Sequence, residues 1–402
     1  AGNRNLGAMF RNTPALEEVV FPATFDTSSV TNMVAMFDQV VADNNTDAPL
    51  ATNNSNLKSL DLSMFNTANM TDMRWAFRNN ANLEEIKLSD TFRTGNVTAM
   101  SGMFKRCHAL KSIDVTSFNT AKVAGAGVEH MFMYCESLTE LDLSTWDLRG
   151  VSNMDYMFAN CTSLENVITP QDRFTSATLT STTGMFDQCR SLRGEWTGET
   201  PDDPNGTWSL ALNGFVTTAS SKYYVFRGCE SLQELDISHW LMQNARCDEM
   251  FRNCQNLETI YVGKDWGAPS TSSGSLMFAN CFKLVGASGF AYGNNEAADA
   301  GSYVYGQSSR TDNYLSYKET WGTVDWSLNG QGNLILKPTS GTYGELASFA
   351  PNATTVVNAS APTLVPWYYY RQNIRHAWIE GGADGTNTIG MQLGAGNTGG
   401  FF

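Results

Sequence analysis

The sequence predicts an α/β repeat solenoid in which each coil contributes one short parallel strand and one short helix. A motif of the form M-F-x-x-C-x-x-L-x-x-L-D-L-S-x-W, at residues 131–146, recurs in variants from the first residues to about Leu284. Its phenylalanine returns every 25 to 28 residues, apart from two steps of 40 residues. Self-similarity at such a period is the signature of stacked repeats. The anchor phenylalanines are Phe10, Phe37, Phe77, Phe104, Phe132, Phe158, Phe186, Phe226, Phe251 and Phe278.

The strand of each coil follows from alternating apolar side chains. At the end of residues 138–143 apolar and polar residues alternate, which indicates a strand with one buried face. Each such segment follows the previous one by a whole coil, so we expect the strands to be parallel. Residues 57–62, 83–88, 110–115 and 232–237 share the pattern.

The helix of each coil is predicted from the segment before the anchor phenylalanine. In residues 151–158 the apolar side chains of Val151, Met154, Met157 and Phe158 have the spacing i, i+3, i+6 and i+7. This spacing indicates a helical or 3₁₀ turn with one buried face.

Seven of the eight cysteines occupy one repeat position, three residues after the anchor phenylalanine. Such a periodic arrangement differs from a disulfide framework, and the chain has no C-x-x-C metal spacing. We expect a ladder of small, buried thiols, while occasional disulfides between neighbouring coils remain open. The ladder consists of Cys107, Cys135, Cys161, Cys189, Cys229, Cys254 and Cys281.

Two insertions interrupt the array that we assign to residues 1–290. The first, at about 38–56, is polar and is predicted to be an exposed loop. The second, at about 193–223, contains a Pro-Asp-Gly turn between Trp196 and Trp208 and could form a small hairpin. Insertions in solenoids often bind ligands, so these two tryptophans are candidate ligand contacts. A tolerated surface loop is the alternative.

Periodicity ends after Leu284. Residues 291–318, rich in Gly, Ser and Tyr, are predicted to be an irregular connection, and residues 319–402 a small β-rich module. Within the module, two alternating segments flank Asn329-Gly330, which is a hairpin signal. The segment that begins at Gly385 resembles the opening of another repeat, but no Phe-x-x-Cys follows it. The module therefore ends in an incomplete repeat.

Composition limits the partners of the chain. The net charge of −14 and the lack of any basic cluster argue against nucleic acid and against adsorption to anionic lipid. No apolar run approaches the length of a membrane-spanning helix, so membrane insertion is not expected. Residue 1 is alanine, which fits either a processed secreted protein or an artificially chosen boundary.

The sequence offers no catalytic or cofactor-binding motif. The four histidines are scattered, and neither a metal-binding H-E-x-x-H pattern nor a phosphate-binding glycine loop occurs. Asp61, Asp114, Asp142 and Asp236 recur at the L-D-L position of the repeat. We expect each aspartate to accept backbone hydrogen bonds in its own coil. The chain is therefore predicted to be no enzyme, with no cofactor and no metal.

The repeat L-x-x-L-D-L-S-x-F-(N/D)-T-x-x-V-x-x-M-x-x-M-F-x-x-C resembles the BspA-like leucine-rich repeats of bacterial surface proteins. The best matches lie at residues 57–77, 110–132 and 138–161. The resemblance implies a right-handed leucine-rich-repeat solenoid. It also implies an extracellular, cell-surface protein of a host-associated microbe. The usual role is adhesion or protein–protein interaction, with a protein or glycan on a host or microbial surface as the partner.

A second hypothesis makes the chain a structural subunit. A solenoid end exposes apolar core and unpaired strand edges unless it is capped. The incomplete repeat of one subunit could complete the open first coil of the next, which would give head-to-tail filaments. The alternative is a boundary cut through a longer array. The predicted interface residues are Leu6, Met9 and Phe10 at one end and Ile389, Met391, Leu393, Phe401 and Phe402 at the other.

Overall fold

The computed structural model describes residues 4–22, 24–39, 55–170, 178–197, 207–212, 219–242, 244–263, 266, 274–286, 316–321, 324–329, 331, 333–338, 343–345, 374–379 and 388–390. These residues form the predicted solenoid of stacked coils. Its strands are β1 (Ser59–Leu62), β2 (Glu85–Leu88), β3 (Glu140–Asp142), β4 (Asn166–Ile168), β5 (Glu195–Trp196), β6 (Trp208–Ala211), β7 (Glu234–Asp236), β8 (Thr259–Val262), β9 (Ser316–Trp321), β10 (Val324–Leu328), β11 (Asn333–Pro338), β12 (Tyr343–Glu345), β13 (His376–Ile379) and β14 (Thr388–Gly390).

The strands of successive coils are parallel, as predicted. Leu60 of β1 lies beside Ile86 of β2, and Leu141 of β3 lies beside Val167 of β4. Farther along, β6, β7 and β8 pair in the same way. Residues 110–115 form no strand, although the side chains of Leu110, Ile113 and Val115 point into the core as the pattern requires.

The anchor phenylalanines form a continuous column through the core. From Phe10 to Phe278, each ring stacks on the ring of the next coil, with centroids 5.1 to 5.9 Å apart and interplanar angles of 3 to 15°. The rings beyond Phe10 are fully buried. The two steps of 40 residues do not interrupt the stack, because Phe37 stacks on Phe77 and Phe186 stacks on Phe226.

The segment around each anchor phenylalanine is not a helix, and the described residues contain no helix at all. Alternate N–H groups point to the next coil instead. In the Phe77 coil, Trp75 N, Phe77 N and Asn79 N donate to the carbonyl oxygens of Ser101, Met103 and Lys105, at 3.0, 2.9 and 2.8 Å. The intervening N–H groups close tight turns within the coil. We call this segment the Met-Phe turn.

Left-handed backbone explains why the predicted helix does not form. In nearly all coils the residues two before and two after the anchor phenylalanine have positive φ, for example Trp75 (58°) and Asn79 (64°) around Phe77. Tyr156 (54°) and Asn160 (61°) repeat this around Phe158. An L-residue in this region cannot continue a right-handed helix. The apolar spacing that suggested a helix is the spacing of inward side chains along the Met-Phe turns.

The seven ladder cysteines are buried thiols, as predicted, and none forms a disulfide. Each Sγ donates to the backbone oxygen of the anchor phenylalanine one coil earlier. The distance is 3.2 Å for Cys135 to Phe104 and 3.0 Å for Cys161 to Phe132. Burial raises the pKa of the Cys107 and Cys161 thiols to about 12. The ladder therefore links consecutive coils by hydrogen bonds.

The β-rich module continues the sheet of the solenoid. Strand β9 pairs in parallel with β8, and β10 and β11 follow as antiparallel neighbours. The resulting sheet has eight strands in the order β13-β11-β10-β9-β8-β7-β6-β5. The predicted hairpin at Asn329 is present as β10 and β11, and the Asn329 side chain accepts hydrogen bonds from Gln331 N and Asn333 N.

Candidate interaction surfaces

Two tryptophans at strand ends, Trp146 and Trp240, belong to the core. Both side chains are fully buried. The Trp146 ring stacks on Phe118 and its indole N–H donates to the Val115 oxygen at 3.0 Å. They cannot contact a ligand in this structure.

The second insertion forms the predicted hairpin, with β5 antiparallel to β6 and Trp196 opposite Trp208. The Arg193 guanidinium lies 3.8 Å from the centre of the half-buried Trp208 ring. Arg193 also pairs with Glu165 at 2.5 Å. The Trp208 backbone N–H donates to the Gln233 side chain at 3.1 Å. We call the surface formed by the outward side chains of the strands the strand face. The hairpin places the Trp208 ring and the Arg193 guanidinium beside it.

The first insertion begins later than predicted. Asp38 and Gln39 do not belong to an exposed loop, because both are buried and bonded to neighbouring coils. Residues 40–54, the centre of the predicted loop, lie outside the described residues.

The predicted filament interface is described only in part. Leu6 and Phe10 are partly buried against the core, whereas Met9 is 50% exposed. Ile389 lies in β14, which pairs with β12. Met391, Leu393, Phe401 and Phe402 lie outside the described residues.

Each aspartate of the L-D-L position bonds its own coil, as expected. Asp61 Oδ1 accepts from Ser63 N at 2.8 Å, and Asp142 Oδ1 accepts from Ser144 N at 2.8 Å. The hydroxyl and the backbone N–H of Ser63 lower the pKa of Asp61, and those of Thr116 lower the pKa of Asp114. In the described part of the chain, no group of three or more His, Cys, Asp or Glu side chains could hold a metal ion.

A second surface, not apparent from the sequence motifs, is formed by the outward side chains of the Met-Phe turns. We call it the turn face. In each coil it comprises the two residues that lie three and two positions before the anchor phenylalanine and the two residues that follow it. Half-buried aromatic side chains recur at these positions. They are Trp75, His130, Tyr134, Tyr156, Tyr223 and Tyr224.

The aromatic rings of the turn face pack against the neighbouring coil. The rings of Trp75 and Tyr156 lie over Gly102 and Gly184, the equivalent residues of the following coils. A Cβ on Gly102 would come within 2.7 Å of the Trp75 ring, and a Cβ on Gly184 would collide with Tyr156. His130 stacks on Tyr156 with centroids 5.6 Å apart. The rings are thus fixed in place, and burial raises the pKa of the Tyr156 hydroxyl.

Guanidinium groups stand over several of these rings. Arg78 lies 4.8 Å from the centre of the Trp75 ring, and Arg227 lies 4.3 Å from that of Tyr224. Similar pairs join Arg106 to Tyr134 at 5.4 Å and Arg246 to Tyr223 at 4.9 Å. Such cation–π pairs are most favourable where they are shielded from water.

Two of these arginines also bridge the interrupted coils. Arg78 donates twice to Asp38, at 3.0 and 2.8 Å, across the first 40-residue step. Arg227 donates twice to Asp187, at 2.9 and 2.7 Å, across the second. Both carboxylates are buried. Both steps start from the same tetrapeptide, Met-Phe-Asp-Gln, and resume at an aromatic-x-Phe-Arg sequence. This duplication is the signal in the sequence that could have revealed the turn face.

The stacked parallel strands, the inward leucines and the cysteine ladder together define a leucine-rich-repeat solenoid. Residues 212–290 match the model of the BspA type leucine rich repeat region, in six copies. Residues 212–290 are thus BspA-type leucine-rich repeats. Residues 4–50, 45–171 and 71–198 match a second model, described as Mycoplasma protein of unknown function, DUF285. No curated protein sequence matches the chain.

Three solved structures show a distant likeness. A leucine rich cell surface protein from Faecalibacterium prausnitzii A2-165 is 16% identical over 57% of this chain and 70% of its own, with a TM-score of 0.24. A leucine-rich repeat protein from Bacteroides ovatus ATCC 8483 is 16% identical over 57% and 78%, with a TM-score of 0.16. The plant peptide hormone receptor RGFR1, solved with RGF2, is 14% identical over 65% and 40%, with a TM-score of 0.28. At these scores, the likenesses carry no argument about function.

No helix in the described residues has the length and apolar composition needed to cross a membrane.

Proposed function

We propose that the protein is an extracellular, cell-surface adhesion protein that binds another protein through its turn face, and that it is a binding scaffold without enzymatic activity. The observation that carries this proposal is the presence of bulky aromatic residues in left-handed backbone. Trp75, His130, Tyr156 and Tyr224 have φ between 54 and 58°. At the equivalent position two other coils have glycine, Gly102 and Gly184, which adopts this conformation without strain.

Left-handed backbone costs roughly 1–2 kcal/mol for an ordinary L-residue. Other coils hold small or aliphatic residues here at a similar φ, such as Ala8, Ala35 and Leu276, so the turn itself does not require a ring. Strained residues cluster at functional sites, where the surrounding structure holds them in place. The neighbouring coil supplies that support, because Trp75 and Tyr156 pack over glycines.

The composition of the turn face favours a protein as the partner. Trp, Tyr and Arg are the residue types that contribute most to binding energy at protein–protein interfaces. A glycan would need ring faces for stacking, but guanidinium groups already stand over Trp75, Tyr134 and Tyr224. The stacked phenylalanine column below keeps these side chains at fixed spacing, so little conformational entropy is lost on binding.

The proposal is tested with a variant that removes two rings while relieving the backbone strain, Trp75→Gly with Tyr156→Gly. Labelled protein is applied to intact cells and to arrays of extracellular proteins and glycans. We expect saturable binding of the parent chain to a protein and a loss of at least about tenfold in the variant, as for interface anchors. The control is Glu85→Ala with Lys87→Ala on the strand face, which should bind like the parent. Binding that survives in the turn-face variant, or binding to glycans alone, would overturn the proposal.

The hairpin of the second insertion remains a candidate contact. Trp208 and Arg193 lie on the strand face, so the hairpin could take part in binding independently of the turn face. The variant Trp196→Ala with Trp208→Ala, measured on the same arrays, separates the two surfaces. Unchanged binding would remove the hairpin from consideration.

A head-to-tail filament is the second candidate function. Among the described residues, the exposed large apolar side chains lie only in the outer coils of the stack, Met9 and Val20 at one end and Leu276 and Phe282 at the other. This distribution suits end-to-end packing. Deletion of residues 385–402 should abolish assembly, as judged by light scattering across a dilution series and by electron microscopy. Filaments that persist after the deletion would contradict the predicted interface.

A further inference from the structure

One column of the core departs from its usual composition in consecutive coils, the first of which places the buried Thr182 in it. Four residues before the anchor phenylalanine, the inward side chain is usually apolar, as in Met73, Met100 and Met154. In the Phe226 coil this position is Lys222, and in the Phe251 coil it is Cys247. Cys247 is the only cysteine outside the ladder. Lys222, the only lysine of this column, thus lies at the position next to Cys247, the only cysteine outside the ladder.

The backbone holds the two residues side by side. Ser221 and Arg246 form a parallel bridge, and Lys222 N donates to the Arg246 oxygen at 2.8 Å. Positions paired in this way lie about 5 Å apart. Both Lys222 and Cys247 are fully buried. The Lys222 ammonium nitrogen donates to the Ala219 oxygen, and no described carboxylate forms an ion pair with it.

The lysine is partly neutral near physiological pH. Burial lowers the pKa of Lys222 to about 8, and the Cys247 thiolate opposes this shift by raising it. In water a lysine amine would be almost entirely protonated at this pH. A neutral amine is a nucleophile, whereas an ammonium is not.

We propose that Lys222 and Cys247 form an oxidative crosslink, a sulfenamide bond between Nζ and Sγ. One molecule of hydrogen peroxide oxidises the Cys247 thiol to sulfenic acid and releases one water. The Lys222 amine then attacks the sulfur, the S–O bond breaks, and the hydroxyl leaves as a second water with a proton from the nitrogen. Sulfenic acids condense with nitrogen nucleophiles in this way. The peroxide takes up two electrons, and the pair loses two hydrogen atoms.

The bond would staple two consecutive coils beside the second interrupted step. Hydrogen peroxide is small enough to enter the core during local opening of a coil. Extracellular conditions favour such oxidation. A thiol reductant reverses the bond by exchange at sulfur, so the crosslink responds to the redox state of the surroundings.

The test is peptide mapping of the intact protein after treatment with hydrogen peroxide, digested by trypsin without reductant. A modified Lys222 resists trypsin, so the crosslinked product joins residues 194–227 to residues 247–252 and is lighter than the two separate peptides by two hydrogen atoms, about 2 Da. We expect this product in the treated protein and its disappearance after addition of dithiothreitol. Cys254, a buried ladder cysteine of the same coil, serves as the internal control and should stay unmodified.

Two variants and a second measurement make the result decisive. Lys222→Met and Cys247→Ser should each abolish the crosslinked product, while Cys161→Ser should leave it unchanged. The oxidised parent should unfold at a higher temperature than the reduced parent, and this difference should vanish in both variants of the pair. Recovery of Cys247 only as thiol, sulfenic acid or sulfinic acid, with Lys222 cleaved normally by trypsin, would overturn the proposal.

Discussion

The cysteine of each repeat provides a hydrogen-bond donor as well as a small apolar side chain. Its Sγ bonds the oxygen of the anchor phenylalanine in the preceding coil. Coils without cysteine place another donor there. Asn80 Nδ2 donates to the Phe37 oxygen of the preceding coil at 2.8 Å, and Thr13 Oγ1, in the first coil, donates to the oxygen of its own Phe10 at 2.7 Å. The position therefore requires a donor, because a buried carbonyl left with unmet bonding capacity costs free energy.

We expect the ladder thiols to be unreactive in the folded protein. The thiolate is the reactive form, and burial raises the pKa of Cys107 and Cys161 to about 12. Treatment with iodoacetamide at pH 8, followed by mass spectrometry, should leave the seven ladder cysteines unmodified until the protein is denatured. Rapid alkylation of Cys161 in the native protein would contradict this assignment.

Lys222 should make the stability of the protein depend on pH. Its pKa is lowered from 10.5 to about 8, so between these values the unfolded chain binds a proton that the folded chain does not. The lysine therefore lowers stability as pH falls from 10.5 to 8. We expect Lys222→Met to raise the free energy of unfolding by about 2 kcal/mol at pH 7. Removing the lysine with its lowered pKa contributes ~3 kcal/mol. The loss of the hydrogen bond to the Ala219 carbonyl subtracts ~1 kcal/mol.

Denaturant unfolding of Lys222→Met and the parent at pH 7 and above pH 10.5 measures this effect. The gain should fade as pH rises from 8 to 10.5, because the unfolded lysine also becomes neutral. A gain that is independent of pH would show that packing, not ionisation, is responsible.

At the scale of the element, the Met-Phe turn depends on residues that tolerate left-handed backbone. Gly184 has φ of 59° and lies under the Tyr156 ring. We expect Gly184→Ala to destabilise the protein by about 1–3 kcal/mol, through backbone strain and overpacking. In the double variant Gly184→Ala with Tyr156→Ala, the loss of stability caused by overpacking should disappear, and the loss caused by backbone strain should remain. Urea denaturation measures both, and full additivity of the two substitutions would contradict the contact.

The arginine pairs across the interrupted coils should contribute more than exposed ion pairs. Arg227→Met leaves the buried Asp187 carboxylate without its guanidinium, and we expect a loss of about 3 kcal/mol. The matched control is Arg149→Met, since Arg149 pairs with Asp147 at the surface. We expect its loss to stay below about 1 kcal/mol. Equal losses of unfolding free energy in the two variants, measured by thermal or urea unfolding, would show that the buried Arg227–Asp187 pair stabilises the fold no more than the exposed Arg149–Asp147 pair.

The sequence predicted the strands and core columns because inward positions recur with the repeat. Leu60, Ile86 and Leu141 are apolar for the same reason, and all three point inward. The helix prediction was wrong because periodicity records which side chains are buried and not the sign of φ. Asn at the second position after the phenylalanine, as in Asn79 and Asn160, was an available signal for left-handed backbone. The aromatic residues of the turn face could be aligned only in this register, since the shared aromatic-x-Phe-Arg sequence includes only Trp75 and Tyr224 among them.

At the scale of the whole molecule, the absence of helix from the described coils has a spectroscopic consequence. Leucine-rich repeats that pair a strand with a helix give the paired far-ultraviolet minima of an α-helix. We expect the described coils to contribute no such minima to the circular dichroism spectrum of this protein. Strong helical minima that disappear cooperatively on heating would contradict the turn geometry described here.

The one-way hydrogen bonding of the Met-Phe turns gives the solenoid an electrical polarity. In the Phe77 coil the N–H groups of Met73, Trp75, Phe77 and Asn79 all point to the following coil. The carbonyl groups of the same peptide units face the preceding coil. Peptide dipoles aligned in this way add along their common axis, as they do in an α-helix. The stack is therefore a dipole whose negative pole lies at its first coil and whose positive pole lies at its last, and an external electric field should orient the molecule along the axis of stacking.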